Sequence, residues 1–503
     1  MTRKVKRSIL IGVAALLSAM LFNFLNTHLL KADGIELRDG QTVITADDAS
    51  YLSPADNFLE NGVWRANSPS LNSYYLRSPG YGGIYLILKY LFPQNPLFWL
   101  KFFQILLFAV SAALLYCLAL KIIDNELASV CVAVVYGCTP FACGFLSYTL
   151  TEGVTPAFVI AFLFLLSNYV QNGRLRWLYA SAAVIAILFI IRPVLGLLLP
   201  LLPLAILLSG SRKLKWRIVT MVAASAFVLL PMTIWQVRNY NIANQFVGLH
   251  PIYSTDSPDL FRPAHKAAWN FARTWSPRGN EFHSAIGALW QSVLNGDTTN
   301  AAVERAVAFV PQKVTDAVGN DAIIGAFTDY QKLLRKQAPF FKSQQCVPQW
   351  FVEDEKLVVA RFDSLTCCVR RHCPLMVHIT GPLKVYGRMA LHSNLSMYMF
   401  QKTLRGNVLM EFFRVLFFLF HGSLFVLIWV ALAASRRIWP KFAIYTIAAA
   451  YLVYLTWFQR GIEERYTLPM LPILMIAAGD AVVLGKQMLN KLKYHKQNSD
   501  AKR

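Results

Sequence analysis

Charged residues are scarce in this chain of 503 residues, where they occupy 15% of the positions against 56% hydrophobic residues. A soluble core of this length does not need so much apolar sequence, so the composition excludes an ordinary soluble protein and predicts a multi-spanning membrane protein. The chain also lacks a Gly-Lys-Ser/Thr phosphate-binding sequence, which argues against ATP-driven work. Its run Gly80-Tyr81-Gly82-Gly83 is not a dinucleotide-binding loop, because no strand precedes it.

Acidic residues are the scarcer of the two charge types. The 27 Asp and Glu residues stand against 49 Lys and Arg residues and leave a net charge of +22. Nucleic acid would be one partner for so basic a chain. However, the basic residues lie mostly in short clusters between apolar runs, where they are expected to hold loops on the cytoplasmic side of a membrane. We therefore interpret the charge as a topology signal and expect no nucleic-acid partner.

The eight cysteines lack the spacing of a metal site. Half of them fall in apolar runs. The others fall in one polar region, at Cys346, Cys367, Cys368 and Cys373. These four could form disulfides if that region lies outside the cytoplasm, but their spacing gives no connectivity.

The apolar runs predict about ten transmembrane helices with both termini in the cytoplasm. A basic start, Arg3-Lys4-Val5-Lys6-Arg7, precedes the first run without a clear cleavage site, which is typical of an uncleaved signal anchor. The predicted spans are residues 8–30, 97–121, 127–148, 153–171, 177–191, 194–210, 217–237, 408–434, 442–459 and 467–485.

These spans divide the chain into four parts. Residues 1–238 form an N-terminal transmembrane module whose first outer loop is 31–96, residues 239–406 an extracytoplasmic domain, residues 407–485 the C-terminal transmembrane helices, and residues 486–503 a basic cytoplasmic tail.

Two regions outside the spans are also expected to be helical. Residues 80–92 are apolar but too short to cross about 30 Å of hydrocarbon, so they predict a juxtamembrane helix in the outer interface. The extracytoplasmic domain is expected to be mainly helical. Residues 299–317 and 320–337 have apolar residues at helical spacing, and Asn320 is a candidate N-cap.

Ionisable residues recur at the predicted outer ends of the spans. For any one of them, a structural role is the plainer interpretation, with arginines reaching lipid phosphates and carboxylates capping helices. Their recurrence on one face favours a functional site instead, because charges near hydrocarbon are costly unless they pair or bind something. Arginine suits a phosphate, while a carboxylate can accept a proton or hold a divalent cation. The residues are Asp47, Asp48, Arg77, Glu152, Arg192 and the run Glu464-Arg465-Tyr466.

Four short motifs resemble a known superfamily, the C-type glycosyltransferases (GT-C fold). Asp47-Asp48-Ala49-Ser50-Tyr51, followed by Ala55 and Gly62, resembles the start of their first outer loop, with Asp48 where Glu is common. Arg77-Ser78-Pro79-Gly80-Tyr81 resembles the element that opens their juxtamembrane helix. Thr151-Glu152 falls where these enzymes carry a second acid, and Arg465-Tyr466-x-x-Pro469 resembles their late Arg-Tyr-x-x-Pro element. The relevant relatives are the family 39 and lipid A aminoarabinose transferase-like enzymes, including the bacterial RgtA/B/C/D-like group.

The resemblance implies an inverting glycosyltransferase in the bacterial cytoplasmic (inner) membrane. Its donor would be a sugar on a polyprenyl phosphate, and its acceptor a glycan, glycolipid or protein on the outer face. The long outer segment between the seventh and eighth spans has no counterpart that would identify this acceptor.

The resemblance also implies roles for individual residues. Asp47 would be the catalytic carboxylate, while Asp48 and Glu152 would orient the acceptor or help hold a divalent cation, Mg²⁺ or Mn²⁺. Arg77 and Arg465 would bind the lipid phosphate. Further candidates for phosphate binding are Arg192 and Arg238, and the supporting residues are Tyr51, Tyr81, Glu464 and Tyr466.

Two other functions stay open. A carrier or flippase for lipid-linked or anionic solutes would line a pathway with charges, but here the charges cluster at outer ends and the two halves show no inverted repeat. A non-catalytic subunit of envelope assembly would use the outer domain to bind a partner.

Overall fold

The computed structural model of this protein is almost entirely helical. It describes residues 2–39, 41–45, 47–209, 213–249, 253–276, 280–297, 299–391, 406–460 and 463–500, and the side chains of residues 280–283, 464 and 494–500 lie outside the description. This helical content, together with the several apolar spans described below, confirms the predicted all-α polytopic class.

The membrane part contains thirteen α-helices in the described ranges. They are α1 (Arg3–Ala32), α2 (Asp48–Asn61), α3 (Pro79–Leu91), α4 (Pro96–Ile123), α5 (Glu126–Cys138), α6 (Pro140–Cys143), α7 (Thr155–Asn172), α8 (Leu175–Ile191), α9 (Leu201–Leu208), α10 (Leu214–Ala243), α18 (Val408–Ala434), α19 (Trp439–Val453) and α20 (Leu471–Asp500). The remaining helices lie between α10 and α18, in the region predicted from the sequence to be extracytoplasmic and called the outer region below. They are α11 (Pro263–Trp275), α12 (Asn280–Leu294), α13 (Ala301–Ala308), α14 (Gln312–Val318), α15 (Asn320–Lys342), α16 (Val352–His372) and α17 (Gly381–Ala390).

Six helical segments in the described ranges are long and apolar enough to cross a membrane. They are Arg3–Ala32, Pro96–Ile123, Leu214–Ala243, Val408–Ala434, Trp439–Gln459 and Arg465–Lys493. A seventh span results if α5 and the segment Pro140–Ser147, bent by 44° at their junction, are counted together. The bend has a local cause, because Pro140 lacks a backbone N–H and disfavours the helical conformation at Thr139, whose ψ is 135°.

Every predicted span coincides with a helical segment, but the count of ten is not reproduced. The predicted spans 153–171, 177–191 and 194–210 coincide with α7, α8 and the segment Pro193–Leu208, which do not reach the length and hydropathy of the six clear spans. In the core of the bundle, α4 packs against α1, α5 and α7.

The predicted first outer loop combines a short hairpin with two helices. Strands β1 (Leu37–Arg38) and β2 (Thr42–Val43) pair antiparallel ahead of α2. Helix α2 ends at Gly62, whose φ of 75° is a left-handed conformation that glycine adopts without steric cost. Helix α3 matches the helix predicted over residues 80–92 and begins with Pro79, which suits a first helical turn.

The outer helices enclose a hydrophobic core of their own, centred on Phe271, Phe327 and Phe362. Two details of the prediction are wrong here. The helix expected at 299–317 is interrupted between α13 and α14, where Pro311 cannot continue a helix. Asn320 is the first residue of α15 rather than its N-cap, which is Gly319 with a φ of 92°. The predicted domain boundary at 238 falls inside α10.

Candidate active site

Asp47 and two arginines from distant parts of the chain form the centre of the site. Asp47 immediately precedes α2, and its Oδ1 accepts a hydrogen bond from Nη2 of Arg77 at 2.5 Å. Its Oδ2 accepts one from Nη2 of Arg465 at 2.8 Å, across 418 positions of sequence. Arg77 also donates from Nε to Ser50 Oγ at 3.0 Å, and its guanidinium lies 4.8 Å from the ring centroid of Tyr51. Both oxygens of Asp47 thus face a cation.

A second acid–arginine pair lies beside the first. Glu152, in a 3₁₀ turn at Thr151–Gly153, accepts a hydrogen bond from Nη1 of Arg192 at 2.7 Å. The same nitrogen donates to Thr151 Oγ1 at 3.1 Å. The Arg192 guanidinium stacks 4.9 Å from the ring centroid of Tyr466, the neighbour of Arg465 in sequence. Tyr466 therefore connects the two pairs.

The start of α3 explains how these pairs come together. A Cβ on Gly80 would lie 2.5 Å from the backbone nitrogen of Ile191, so only glycine lets α3 approach the end of α8 this closely. Ile191 precedes Arg192, and Gly80 follows Arg77 by three residues. The close approach of the two backbones therefore places both arginines at one site.

A cavity of about 920 Å³ opens at this site. Its apolar wall includes Phe189, Leu197, Leu199, Met232 and Trp235. Its charged lining residues are two acids and five bases, namely Asp47, Glu152, Arg77, Arg192, Lys266, Arg273 and Arg465. The charged lining therefore carries an excess of three positive charges, which suits an anionic ligand.

The arginines keep both acids ionised. Burial alone would raise the pKa of Asp47, but the charges and hydrogen bonds of Arg77 and Arg465 outweigh it and hold that pKa below its usual value. Burial opposes ionisation of Glu152 in the same way, and Arg192 and Arg465 hold its pKa below the usual value. Both side chains are therefore carboxylates at neutral pH.

Asp48 does not line the cavity, although the sequence places it beside Asp47. Its buried carboxylate accepts two hydrogen bonds from Arg38, from Nε at 3.0 Å and from Nη2 at 3.1 Å. Successive residues of a helix point in directions about 100° apart, and Asp48 is the first residue of α2. This placement does not fit the expected role in orienting an acceptor, and Arg38 is a residue that the sequence reasoning missed.

Two other candidates, Arg238 and Tyr81, also lie apart from the cavity lining. Arg238 donates to the backbone oxygens of Tyr74 and Trp64, both at 2.7 Å, and so holds the first outer loop. Tyr81 is buried and donates to Gln104 Oε1 at 3.1 Å. The side chain of Glu464 lies outside the described residues. By contrast, Tyr51 and Tyr466 line the cavity.

The sequence reasoning also missed one wall of the cavity, which α11 contributes. Lys266, Trp269, Asn270 and Arg273 line it. Their spacing of three, four and seven residues places them on one face of a helix, which is a signal that the sequence does contain. Without the fold, however, that face cannot be assigned to this site.

The acids of the cavity do not fit a divalent cation well. Asp47 and Glu152 are each paired with a guanidinium group, an arrangement that leaves little negative charge for a metal ion. In the part of the chain that the structure describes, no three His, Cys, Asp or Glu side chains lie close enough together to hold a metal.

Comparison with known proteins gives one sequence family. The family of dolichyl-phosphate-mannose-protein mannosyltransferases matches residues 79–235, from the start of α3 into α10. No curated protein matches the chain.

Two solved structures, from two organisms, have a backbone similar to that of this chain. The archaeal oligosaccharyltransferase AglB from Archaeoglobus fulgidus, in complex with an inhibitory peptide and a dolichol-phosphate, shares 12% identity at a TM-score of 0.43, with 98% of this chain and 52% of that chain covered. ArnT from Cupriavidus metallidurans bound to undecaprenyl phosphate shares 12% identity at a TM-score of 0.38, with 93% and 76% covered. The chain thus spans about half the length of the archaeal enzyme.

The family match coincides with the segment that holds Gly80, Glu152 and Arg192. The resemblance to GT-C glycosyltransferases that the sequence predicts is thereby confirmed over residues 79–235.

Proposed function

We propose that this protein is an inverting glycosyltransferase that moves a sugar from a polyprenyl phosphate to an acceptor on the outer face of the cytoplasmic membrane. One observation carries the proposal. A carboxylate, Asp47, lies between two arginines in a cavity with excess positive charge. Such a cavity holds both a proton acceptor and a binding site for a phosphate leaving group.

In the proposed reaction, Asp47 takes the proton from the acceptor hydroxyl as its oxygen attacks the anomeric carbon. The bond between that carbon and the phosphate oxygen breaks, and its electron pair leaves with the lipid phosphate. The new bond forms on the opposite face of the sugar, so the configuration inverts. General base catalysis of this kind contributes about 100-fold to 10,000-fold in rate.

Arg77 and Arg465 have donors for the leaving group as well as for Asp47. A guanidinium carries five N–H groups in a planar arrangement, and only one nitrogen of each arginine donates to the Asp47 carboxylate. Their positive charge would stabilise the negative charge that develops on the phosphate as the glycosidic bond breaks.

The walls of the cavity fit the two ends of such a donor. Phe189, Leu199 and Met232 provide an apolar surface suited to the first isoprene units. The charged residues of the same lining would hold the phosphate and the sugar.

Replacement of Asp47 by Asn tests the proposal. The amide keeps the size of the side chain but cannot accept the proton, so transfer of a labelled sugar from a polyprenyl-phosphate donor to membrane acceptors should fall at least about 100-fold, with normal expression of the folded protein. Asp316→Asn is a matched control, because Asp316 is an exposed residue of the outer region that pairs with Gln312 at 2.8 Å.

The outcomes separate the alternatives. Full transfer activity of Asp47→Asn would remove the central residue of the mechanism. No transfer by the wild-type protein from any polyprenyl-phosphate sugar, together with movement of the lipid-linked sugar between leaflets, would support a carrier. A loss that Asp316→Asn shares would point to general damage instead of lost catalysis.

A further inference from the structure

We infer that the cavity face of α11 is a binding subsite for the acceptor, and that it selects a glycan that carries an acidic group. This inference rests on the proposed function, since it assigns the second substrate of the same reaction. The face consists of Lys266, Trp269, Asn270 and Arg273.

Helix α11 has two chemically distinct faces. Ala264, Ala268, Phe271 and Ala272 are buried against the core of the outer helices, mainly toward α16. The opposite face carries the four cavity residues and is more open, with Lys266 exposed to solvent. Packing therefore accounts for the apolar face and leaves the polar face to the cavity.

Buried ions fix α11 at both ends. At its start, Glu355 accepts a hydrogen bond from the Ala264 backbone N–H at 3.1 Å. At its end, the Arg460 guanidinium donates to the backbone oxygens of Arg273 and Thr274, the latter at 3.1 Å. An anion at the N-terminus and a cation at the C-terminus both stabilise a helix. The subsite is therefore built on a rigid element, which favours defined recognition.

The charges of this face are available to a ligand. Within the described ranges, Lys266 forms no ion pair, and its Nζ lies 5.2 Å from the ring centroid of Tyr253. Arg273 donates to the Phe458 backbone oxygen and, at 3.5 Å, to Asn270 Oδ1, which are both neutral partners. The two acids of the cavity are already paired with other arginines. A carboxylate or phosphate on the ligand would therefore supply the missing counter-charge.

The side chains between the two cations suit a sugar ring. Trp269 lies between Lys266 and Arg273 on the helix and offers a flat apolar surface, while the Asn270 amide can both donate and accept hydrogen bonds. Aromatic surface with polar groups around it is the usual composition of a small-molecule site.

The ion pairs of the cavity favour assigning this face to the acceptor and not to the donor. In an inverting reaction the acceptor approaches the anomeric carbon from the side opposite the phosphate. Arg77 and Arg465, which pair with the proposed base Asp47, would hold the phosphate, and the α11 face is then left for the acceptor. Helix α11 forms the wall that the outer region contributes.

The inference is tested by direct binding, without turnover. The probes are a hyaluronan tetrasaccharide, which carries glucuronate carboxylates, and the methyl ester of the same tetrasaccharide, in which those charges are absent. Their affinities are measured on the full-length protein in lipid nanodiscs. We expect the acidic form to bind at least tenfold more tightly at low salt, and expect the difference to shrink as salt is added.

Variants locate the binding. Lys266→Glu should abolish the preference for the acidic probe, and Trp269→Leu should weaken both probes several-fold. Lys313→Glu makes the same charge change at an exposed position of the outer region outside the cavity lining, and should leave both affinities unchanged. Asp47→Asn should also bind the acidic probe.

Three results would each overturn the inference: equal binding of the two probes, no binding of either at millimolar concentration, or a preference that survives Lys266→Glu. Failure of the proposed function looks different. In that case the wild-type protein binds the acidic probe as expected but transfers no sugar from a polyprenyl-phosphate donor.

Discussion

The buried pair of Glu152 and Arg192 allows a stability prediction that can be worked out from the structure. Their side chains are 3% and 13% exposed, and Oε1 lies 2.7 Å from Nη1. Removing one partner of a buried pair costs about 3–5 kcal/mol, because the other charge stays buried without compensation. Glu152→Gln keeps an acceptor for Arg192 and leaves its stacking on Tyr466 intact. We therefore expect the lower end of that range, about 3 kcal/mol.

This free energy can be converted to an unfolding temperature. An unfolding entropy of about 2.1 cal/mol/K per residue gives roughly 1 kcal/mol/K for a chain of 503 residues. The unfolding temperature of Glu152→Gln should accordingly drop by roughly 3 °C, measured by intrinsic fluorescence of the purified protein in one detergent.

The double variant separates lost charge pairing from a general packing effect. Glu152→Gln with Arg192→Met leaves no uncompensated charge, so it should be no less stable than Glu152→Gln alone. Arg192→Met alone should recover stability as the pH is lowered, because Glu152 can take up a proton whereas an arginine cannot release one. The matched control is Glu353→Gln, which removes an acid that is 82% exposed and pairs with Lys356 on the surface. It should leave the unfolding temperature unchanged.

The reasoning is refuted if Glu152→Gln unfolds at the wild-type temperature. It is also refuted if the two single effects simply add in the double variant, because additivity means that the charges do not interact.

Three further predictions concern the catalytic pair, metal dependence and the attachment of α11. Because Arg77 lowers the pKa of Asp47, Arg77→Gln should move the acid limb of the pH profile of kcat/KM to higher pH, and an unshifted limb would contradict the pairing. In terms of stability, the ion pairs of Asp47 contribute at neutral pH and are lost as the pH falls through its lowered pKa. Incubation with EDTA should change the transfer rate less than about twofold, since both cavity acids are paired with arginines. A loss of activity that Mg²⁺ or Mn²⁺ restores would show that transfer depends on a divalent cation. A Cβ on Gly381 would lie 2.7 Å from Nη2 of Arg460, so Gly381→Ala should displace that guanidinium from the end of α11. The KM for the acceptor should then rise more than the KM for the donor. Equal changes in the two KM values would argue against an acceptor site on α11.

Much of the fold could be predicted from the sequence, because the length and position of apolar runs determine where helices form in a membrane protein. The meeting of Asp47, Arg77 and Arg465 could also be predicted. The basic clusters identify the cytoplasmic loops, so all three residues were expected on the opposite side of the membrane. A sequence contains no comparable signal for the direction of a side chain at a helix start. That is why Asp48, next to Asp47 in sequence, was expected in the cavity but pairs with Arg38 outside it.

The contribution of α11 was inaccessible for another reason. Its polar stripe is visible in the sequence, but its docking over the cavity depends on contacts between distant segments. The Arg460 guanidinium reaches the end of α11 across 186 positions, to the Thr274 backbone oxygen. It also donates to the Val377 backbone oxygen, between α16 and α17. Local patterns do not encode such contacts, so the sequence predicted a helical outer domain without indicating which helix lines the site.

The tight pairing of Asp47 has a consequence for the order of events in the proposed reaction. A carboxylate held by two arginines has a lowered pKa and is a weak base. The donor phosphate brings negative charge to the same two arginines, which offsets their attraction for the Asp47 charge and raises its pKa. The base therefore gains strength only when the leaving group is in place. Without a donor, the arginines keep Asp47 ionised but poorly able to accept a proton, so an acceptor hydroxyl that enters the cavity first is not activated.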